Sequence, residues 1–209
     1  MSPDHINILH STAYLPPISW VQEIMKAEKV YIEAEETYPR QTYRNRCKLI
    51  TANGIISLSI PVIRESGSKP ITRDIQIFYD EPWQRLHWRT IDAAYSNSPF
   101  YLYYKDELKP FYETKYRFLL DFNNALATKL FNILGLKYEV ELTTEFNINP
   151  VEVIDHRNTI SPKSDPDPVK FKTYHQVFEE RHGFIPDLSI IDLLFNEGPA
   201  SIKVLGTRY

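Results

Sequence analysis

The stretch Ile8–Ile50, ILHSTAYLPPISWVQEIMKAEKVYIEAEETYPRQTYRNRCKLI, decides the fold class of this chain. It begins in an apolar strand, Ile6 to Leu9, that runs into a polar turn at His10-Ser11-Thr12. Pro16-Pro17 then opens a helix, because proline fits the first helical turn, where its missing N–H costs nothing. Ile18, Val21, Ile24 and Met25 form the apolar stripe of that helix, and Val30 to Ala34 is the next strand. A strand-helix-strand order of this kind predicts a parallel α/β start. Glu33, Glu35 and Glu36 gather at the end of the second strand. In open α/β sheets ligands bind outside the carboxyl ends of the strands, so His10 and the acidic group both fall where a site belongs.

Outward from this unit, Ile55 to Ile63 alternates apolar and polar residues and reads as a strand. Ile71 to Phe78 is another, after a loop from Arg64 to Pro70. Three helices are expected at Trp83 to Ser96, Phe100 to Leu108 and Glu113 to Leu134, the last ended by Gly135. Lys137 to Leu142 reads as a strand, and a final helix runs from Leu188 to Phe195 and stops at Gly198-Pro199. Residues 147–172 are rich in Pro, Asp, Ser and Lys and read as a loop or mobile linker. The expectation is one compact α/β domain over residues 1–209, with a mixed, largely parallel sheet and a helical layer from Trp83 to Leu134.

A chain of 209 residues is long enough for one well-buried core. Its 14 Tyr and 11 Phe exceed what an ordinary core needs, and such an excess serves packing or the recognition of sugars and bases. A net charge of −3 argues against a nucleic-acid binder, which is usually basic. No run approaches the roughly 20 apolar residues of a membrane span, and the N-terminus lacks a signal-peptide core. The single cysteine, Cys47, excludes an internal disulfide and fits a reducing compartment, so cytoplasmic residence is expected. No phosphate-cradling glycine motif, nucleophile elbow or zinc-ligand spacing is present, so no cofactor or metal is assigned.

The segment Tyr38 to Lys48 is the first candidate for chemistry. Arg44, Arg46 and Lys48 share one face of an extended chain, with Arg40 nearby, and guanidinium forks suit phosphate or carboxylate ligands. Tyr43 points to the other face. The competing account is a solvated basic strand paired with Glu33, Glu35 and Glu36. His10 is a candidate general base or phosphate ligand, its alternative being a hydrogen bond to the following helix end. His87 lies on a helical stripe with Trp83, Ile91 and Ala94, where a hydrogen-bonded core histidine is the rival reading. Asn123 falls on the apolar stripe of the long helix and needs partners there. Asp192 is either the third residue of a capping box begun by Ser189 or a buried carboxylate with a raised pKa. Cys47, beside Arg46 and Lys48, is a small packing residue or a thiol of lowered pKa.

These residues together resemble the WbqC-like protein family, found among bacterial surface-polysaccharide and O-antigen gene clusters. The matching features are His10 before Tyr14-Leu15-Pro16, an acidic strand end at Glu35, and Arg40 to Tyr43 followed by Asn45-Arg46. Pro82-Trp83 with His87 and the closing Pro186 to Gly198 complete the pattern. Ser11-Thr12-Ala13 is similar to a Bacteroidetes-type branch. The chain departs from the pattern at Ala34-Glu35-Glu36-Thr37, where Asp-Asp-Val-Gln is common, and at Cys47, where Asn is common. The resemblance implies a cytoplasmic transferase of a sugar precursor, moving an acyl or aminoacyl group to a nucleotide-linked amino sugar. On that expectation His10, Glu35 and His87 are catalytic, while Arg40, Tyr43, Arg44, Asn45, Arg46 and Asp192 bind a small-molecule substrate, a nucleotide sugar or acyl donor. The alternative is a non-catalytic ligand- or partner-binding protein of a polysaccharide assembly pathway.

Overall fold

In the computed structural model, which describes residues 6–64, 67–137 and 140–206, β1 (Asn7–Ser11) and β2 (Lys29–Glu33) pair in parallel. Their register runs from Asn7 opposite Lys29 to Ser11 opposite Glu33, with α1 (Ile18–Met25) as the crossover. Because side chains alternate across a strand, Ile8, His10, Val30 and Ile32 share one face, and Leu9, Ser11, Tyr31 and Glu33 share the other. A hairpin of β3 (Arg46–Thr51) and β4 (Gly54–Ser59) forms a separate two-stranded antiparallel sheet. Helices α2 (Trp83–Tyr95), α3 (Tyr101–Leu108) and α4 (Leu119–Ile133) follow. Then β5 (Val140–Leu142) adds beside β2 and β6 (Ile154–Asp155) beside β1, both parallel, giving the order β5-β2-β1-β6. The chain closes with α5 (Glu179–His182), α6 (Ile190–Glu197) and α7 (Ser201–Leu205). One continuous core joins these elements, so the α/β domain with a mostly parallel sheet and a helical layer is as expected.

α1 shows how distant parts of the chain complete each other. Pro17 occupies its N-cap and offers no side-chain acceptor for the first N–H groups. Asp187 supplies it instead, accepting from the Ser19 backbone N–H at 2.8 Å and the Ser19 hydroxyl at 2.9 Å. The Ile190 N–H donates to the Pro16 carbonyl and the Ile18 N–H to the Leu188 carbonyl, so α1 and α6 start back to back. At the far end of α6, Gly198 has φ +52°, and a Cβ there would lie 2.5 Å from the Phe100 ring, so only glycine fits.

Two expectations need correction. Ile71–Phe78 is not a strand of a ladder. Ile75 and Ile77 are buried as the alternation requires, but Thr72–Asp74 winds into a 3₁₀ turn, and isolated bridges at Ile71, Gln76 and Ile77 replace a continuous pairing. The long helix starts at Leu119 and not at Glu113. The preceding chain is claimed by other partners: the Tyr116 N–H donates to the Tyr79 hydroxyl, and the Arg117 carbonyl accepts from the Ile77 N–H. Residues 147–172, read as a loop or mobile linker, are mostly irregular and contain β6 and the buried Arg157. Of the strand expected at Lys137 to Leu142, residues 138 and 139 lie outside the described residues.

Arg157 fastens this segment to the sheet. Its Nη1 donates to Glu33 Oε2 at 2.9 Å, its Nε to Asp155 Oδ1 at 3.0 Å and its Nη2 to Asp155 Oδ2 at 2.6 Å. The side chains of Arg157 and Glu33 are 4% and 1% exposed, so loss of either leaves a buried charge without its partner. Arg157→Ala should therefore lower the unfolding free energy by about 3–5 kcal/mol. Arg73→Ala, which breaks the exposed pair with Glu35, should cost no more than about 1 kcal/mol. Urea titration of both variants checks the contrast, and equal midpoints would remove Arg157 as the anchor.

Candidate functional site

The carboxyl ends of the parallel strands carry a continuous set of charges. Glu33, at the end of β2, accepts from Arg157 and also from the Thr143 hydroxyl at 2.6 Å and the Glu35 N–H at 2.9 Å. Beyond it Arg44 grips Glu36 with two parallel bonds, Nε to Oε1 at 2.7 Å and Nη2 to Oε2 at 2.8 Å. Arg44 Nη2 also donates to the Arg157 carbonyl at 3.3 Å, which joins the two pairs. Arg44 is thus occupied by its own fold, and Glu35 is held by Arg73 at 2.6 Å.

At the end of β1, His10 is 1% exposed. Its Nε2 lies 3.1 Å from Glu23 Oε2, and His156 Nδ1 lies 3.0 Å from the same oxygen. Burial lowers the His10 pKa against the pull of Glu23, so the ring is neutral. A shared carboxylate oxygen requires donors on both sides, which places the His10 proton on Nε2 and leaves its buried Nδ1 as a lone pair without a partner among the described residues. Thr159 extends this cluster toward solvent, donating to the His156 carbonyl at 3.0 Å. Among the described residues no group of three or more His, Cys, Asp and Glu could hold a metal ion.

A cavity of about 240 Å³ lies between the sheet and α4. Trp20, Ile32 and Phe131 form its apolar walls, and Thr12, Asn123 and Asn124 offer polar groups. Asn123 Nδ2 donates to the Arg44 carbonyl at 2.7 Å, whereas its Oδ1 is buried without a partner among the described residues. On the other side of the Arg44–Arg46 segment a second recess of about 260 Å³ is lined by Tyr38, Arg40, Gln41, Arg46 and Arg64.

The sequence profile of the WbqC-like protein family matches residues 12–161, well over half of the chain. The chain belongs to the WbqC-like family. It is also similar to a protein of Mycobacterium tuberculosis (strain ATCC 25618 / H37Rv) described as "Uncharacterized protein Rv1507c", at 21% identity over 88% of this chain and 90% of that protein. No solved structure matches.

In this WbqC-like chain the expected site residues divide. Arg40, Asn45 and Arg46 come together around the basic recess, although the Asn45 amide is spent on the Ile60 carbonyl at 2.8 Å. Tyr43 turns into the core, its carbonyl accepting from the Tyr14 N–H. His87 sits in an aromatic cluster, 5.1 Å from the Trp83 ring, with Nδ1 2.9 Å from the Tyr14 hydroxyl; burial pushes its pKa down to about 4. It lines neither recess, and its contacts are those of a packing residue. Cys47 is fully buried, and burial pushes its thiol up, the opposite of an activated nucleophile. No sequence signal singles out Glu23, His156, Arg157 or Arg64, whereas Tyr38 heads the candidate segment. Glu23 stands on the polar side of an ordinary amphipathic helix, and His156 and Arg157 lie in a stretch whose composition reads as loop.

Asp192 is wholly buried in α6, where its Oδ2 accepts from the Tyr174 hydroxyl at 2.6 Å and the Gln176 amide at 3.2 Å. Burial raises its pKa to about 6 despite these donors. Between pH 4 and 6 the folded protein therefore holds a proton that the unfolded chain has released, and stability falls as pH rises through that window. Asp192→Asn removes this term. The stability of wild type relative to Asp192→Asn should drop by about 2–3 kcal/mol from pH 4 to pH 7. Paired urea titrations at the two pH values measure it, and a pH-independent difference would refute the raised pKa.

Proposed function

We propose that this protein is a transferase-type enzyme of bacterial surface-polysaccharide (O-antigen) biosynthesis, acting on a sugar precursor in the cytoplasm. The observation that carries this reading is the cavity over the sheet, with aromatic walls and the unpartnered, buried Asn123 Oδ1. A mostly apolar pocket with a few fixed polar groups suits a small molecule with ring faces and hydrogen-bonding edges, and an amino sugar has both. Membership of the WbqC-like family supports the pathway.

The reaction is transfer of an acyl or aminoacyl group to a nucleotide-linked amino sugar. The acceptor nitrogen bonds to the acyl carbon, the donor's leaving group departs, and the amine proton passes to a base. The His10–Glu23–His156 cluster is suited to receive it, because Glu23 and His156 are partly exposed and connect to a neutral imidazole. Of the residues expected to bind substrate, Arg40 and Arg46 keep their charges unpaired among the described residues and line the same recess. A second reading, a non-catalytic binding protein, is favoured by the other sheet face, where Phe146, Ile148 and Val151 are exposed.

Thermal unfolding with a panel of nucleotide amino sugars and acyl donors tests the first reading. A ligand at 100 times its Kd adds about 2.7 kcal/mol, which for this size raises Tm by roughly 5–10 °C. Ala127→Phe, which fills the cavity, should abolish the shift while leaving the unliganded Tm within a few degrees. No shift with any compound would shift the weight to the binding reading.

A further inference from the structure

We infer that the basic recess at the end of the sheet is a phosphoryl-binding site, for a phosphate monoester or diphosphate, formed by Arg46, Arg40, Arg64 and the hydroxyl of Tyr38. The inference deepens the small-molecule reading above by naming the group its ligand carries.

The recess holds three guanidinium side chains, and no carboxylate lines it among the described residues. Such a concentration of like charge is unfavourable unless an anion completes it. Two polar atoms are buried there without a partner among the described residues, Arg46 Nε and the Tyr38 hydroxyl, and Tyr38 is only 5% exposed. A buried donor left unsatisfied is costly, so a recess with two of them is built for an acceptor that arrives from outside. Both are donors: arginine cannot accept, and burial pushes the Tyr38 hydroxyl up to about 12, outweighing the neighbouring arginines, so it keeps its proton.

The frame is fixed before any ligand binds. Arg64 stacks on the Tyr38 ring at 4.4 Å and donates through Nη2 to the Tyr38 and Pro39 carbonyls at 3.2 and 3.4 Å. Gln41, on the wall, is held at φ +58°, a conformation that non-glycine residues adopt at a cost. Arg44, the adjacent cation, is neutralised by Glu36 and adds no free charge.

Charge decides the ligand class. A monocarboxylate would offset one of three positive charges, whereas a phosphate monoester or a diphosphate offsets two or more and presents enough oxygens for every donor. The recess and the cavity flank the same short segment, since Asn123 in the cavity binds the Arg44 carbonyl and Arg46 lines the recess. A ligand with a sugar at one end and phosphate at the other matches that layout.

Calorimetric titration with inorganic pyrophosphate, without sugar or acyl donor, tests this separately from any transfer chemistry. Wild type should bind pyrophosphate, with affinity falling as salt rises, and should not bind sodium acetate of equal ionic strength. Tyr38→Phe, which keeps the ring under Arg64, should weaken binding about tenfold, and Arg46→Gln by at least as much. Arg73→Gln removes an equal charge outside the recess and should bind as wild type does. Failure of wild type to bind, equal binding of acetate, or unchanged affinity in both Tyr38→Phe and Arg46→Gln would overturn the assignment. Titration with UDP and with coenzyme A then separates a nucleotide diphosphate from a phosphorylated acyl donor as the source of the group.

Discussion

Parallel strands bring their carboxyl ends together, and in this protein those ends carry acids that must be neutralised out of water. Glu33 is almost completely buried, and its charge is sustainable only because Arg157 reaches it from a segment more than 120 residues away in sequence. Arg157 in turn presents its carbonyl to Arg44, which is neutralised by Glu36, and the Arg44 carbonyl holds Asn123 of α4. The sheet, the basic segment and the helical layer thus share one polar junction. The burial cost of each member is repaid only when all are present, which makes the junction a determinant of geometry more than of net stability.

This junction also sorts the cations. Had Arg44 and Arg46 both pointed into solvent, the segment would be a plain basic strand. Instead one arginine is consumed in building the site and the other is left with an unsatisfied buried nitrogen. The same division holds among the acids: Glu35 is paired at the surface, Glu36 is structural, and Glu23 serves two histidines.

Local periodicity made much of the scaffold legible. The proline pair before α1, the stripe of α2 and the apolar ends of β1 and β2 lie where pattern and cap chemistry put them, because these signals are written within a few residues. The site was half legible. His10 and Arg46 stand out at strand ends, but their partners come from elsewhere: Glu23 from a helix with no anomaly in its pattern, His156 and Arg157 from a stretch whose composition reads as loop, and Arg64 from beyond the hairpin. Nothing local distinguishes an arginine that will be buried against Glu33 from one left in solvent. The two non-ladder stretches, Ile71–Phe78 and 113–118, depart from their local pattern for a related reason, since their backbone partners are each other and neighbouring loops.

The cap on α1 reaches beyond the folded state. Ser19 finds its acceptor in Asp187, so the first crossover of the domain is finished by a residue that the ribosome delivers 168 residues after it. β6 and Arg157 arrive almost as late. The opening strand-helix-strand unit is therefore completed only by later segments, which supply the acceptor for Ser19 and the partner for Glu33. A chain cut short before residue 187 lacks the clasp on the first turn of α1.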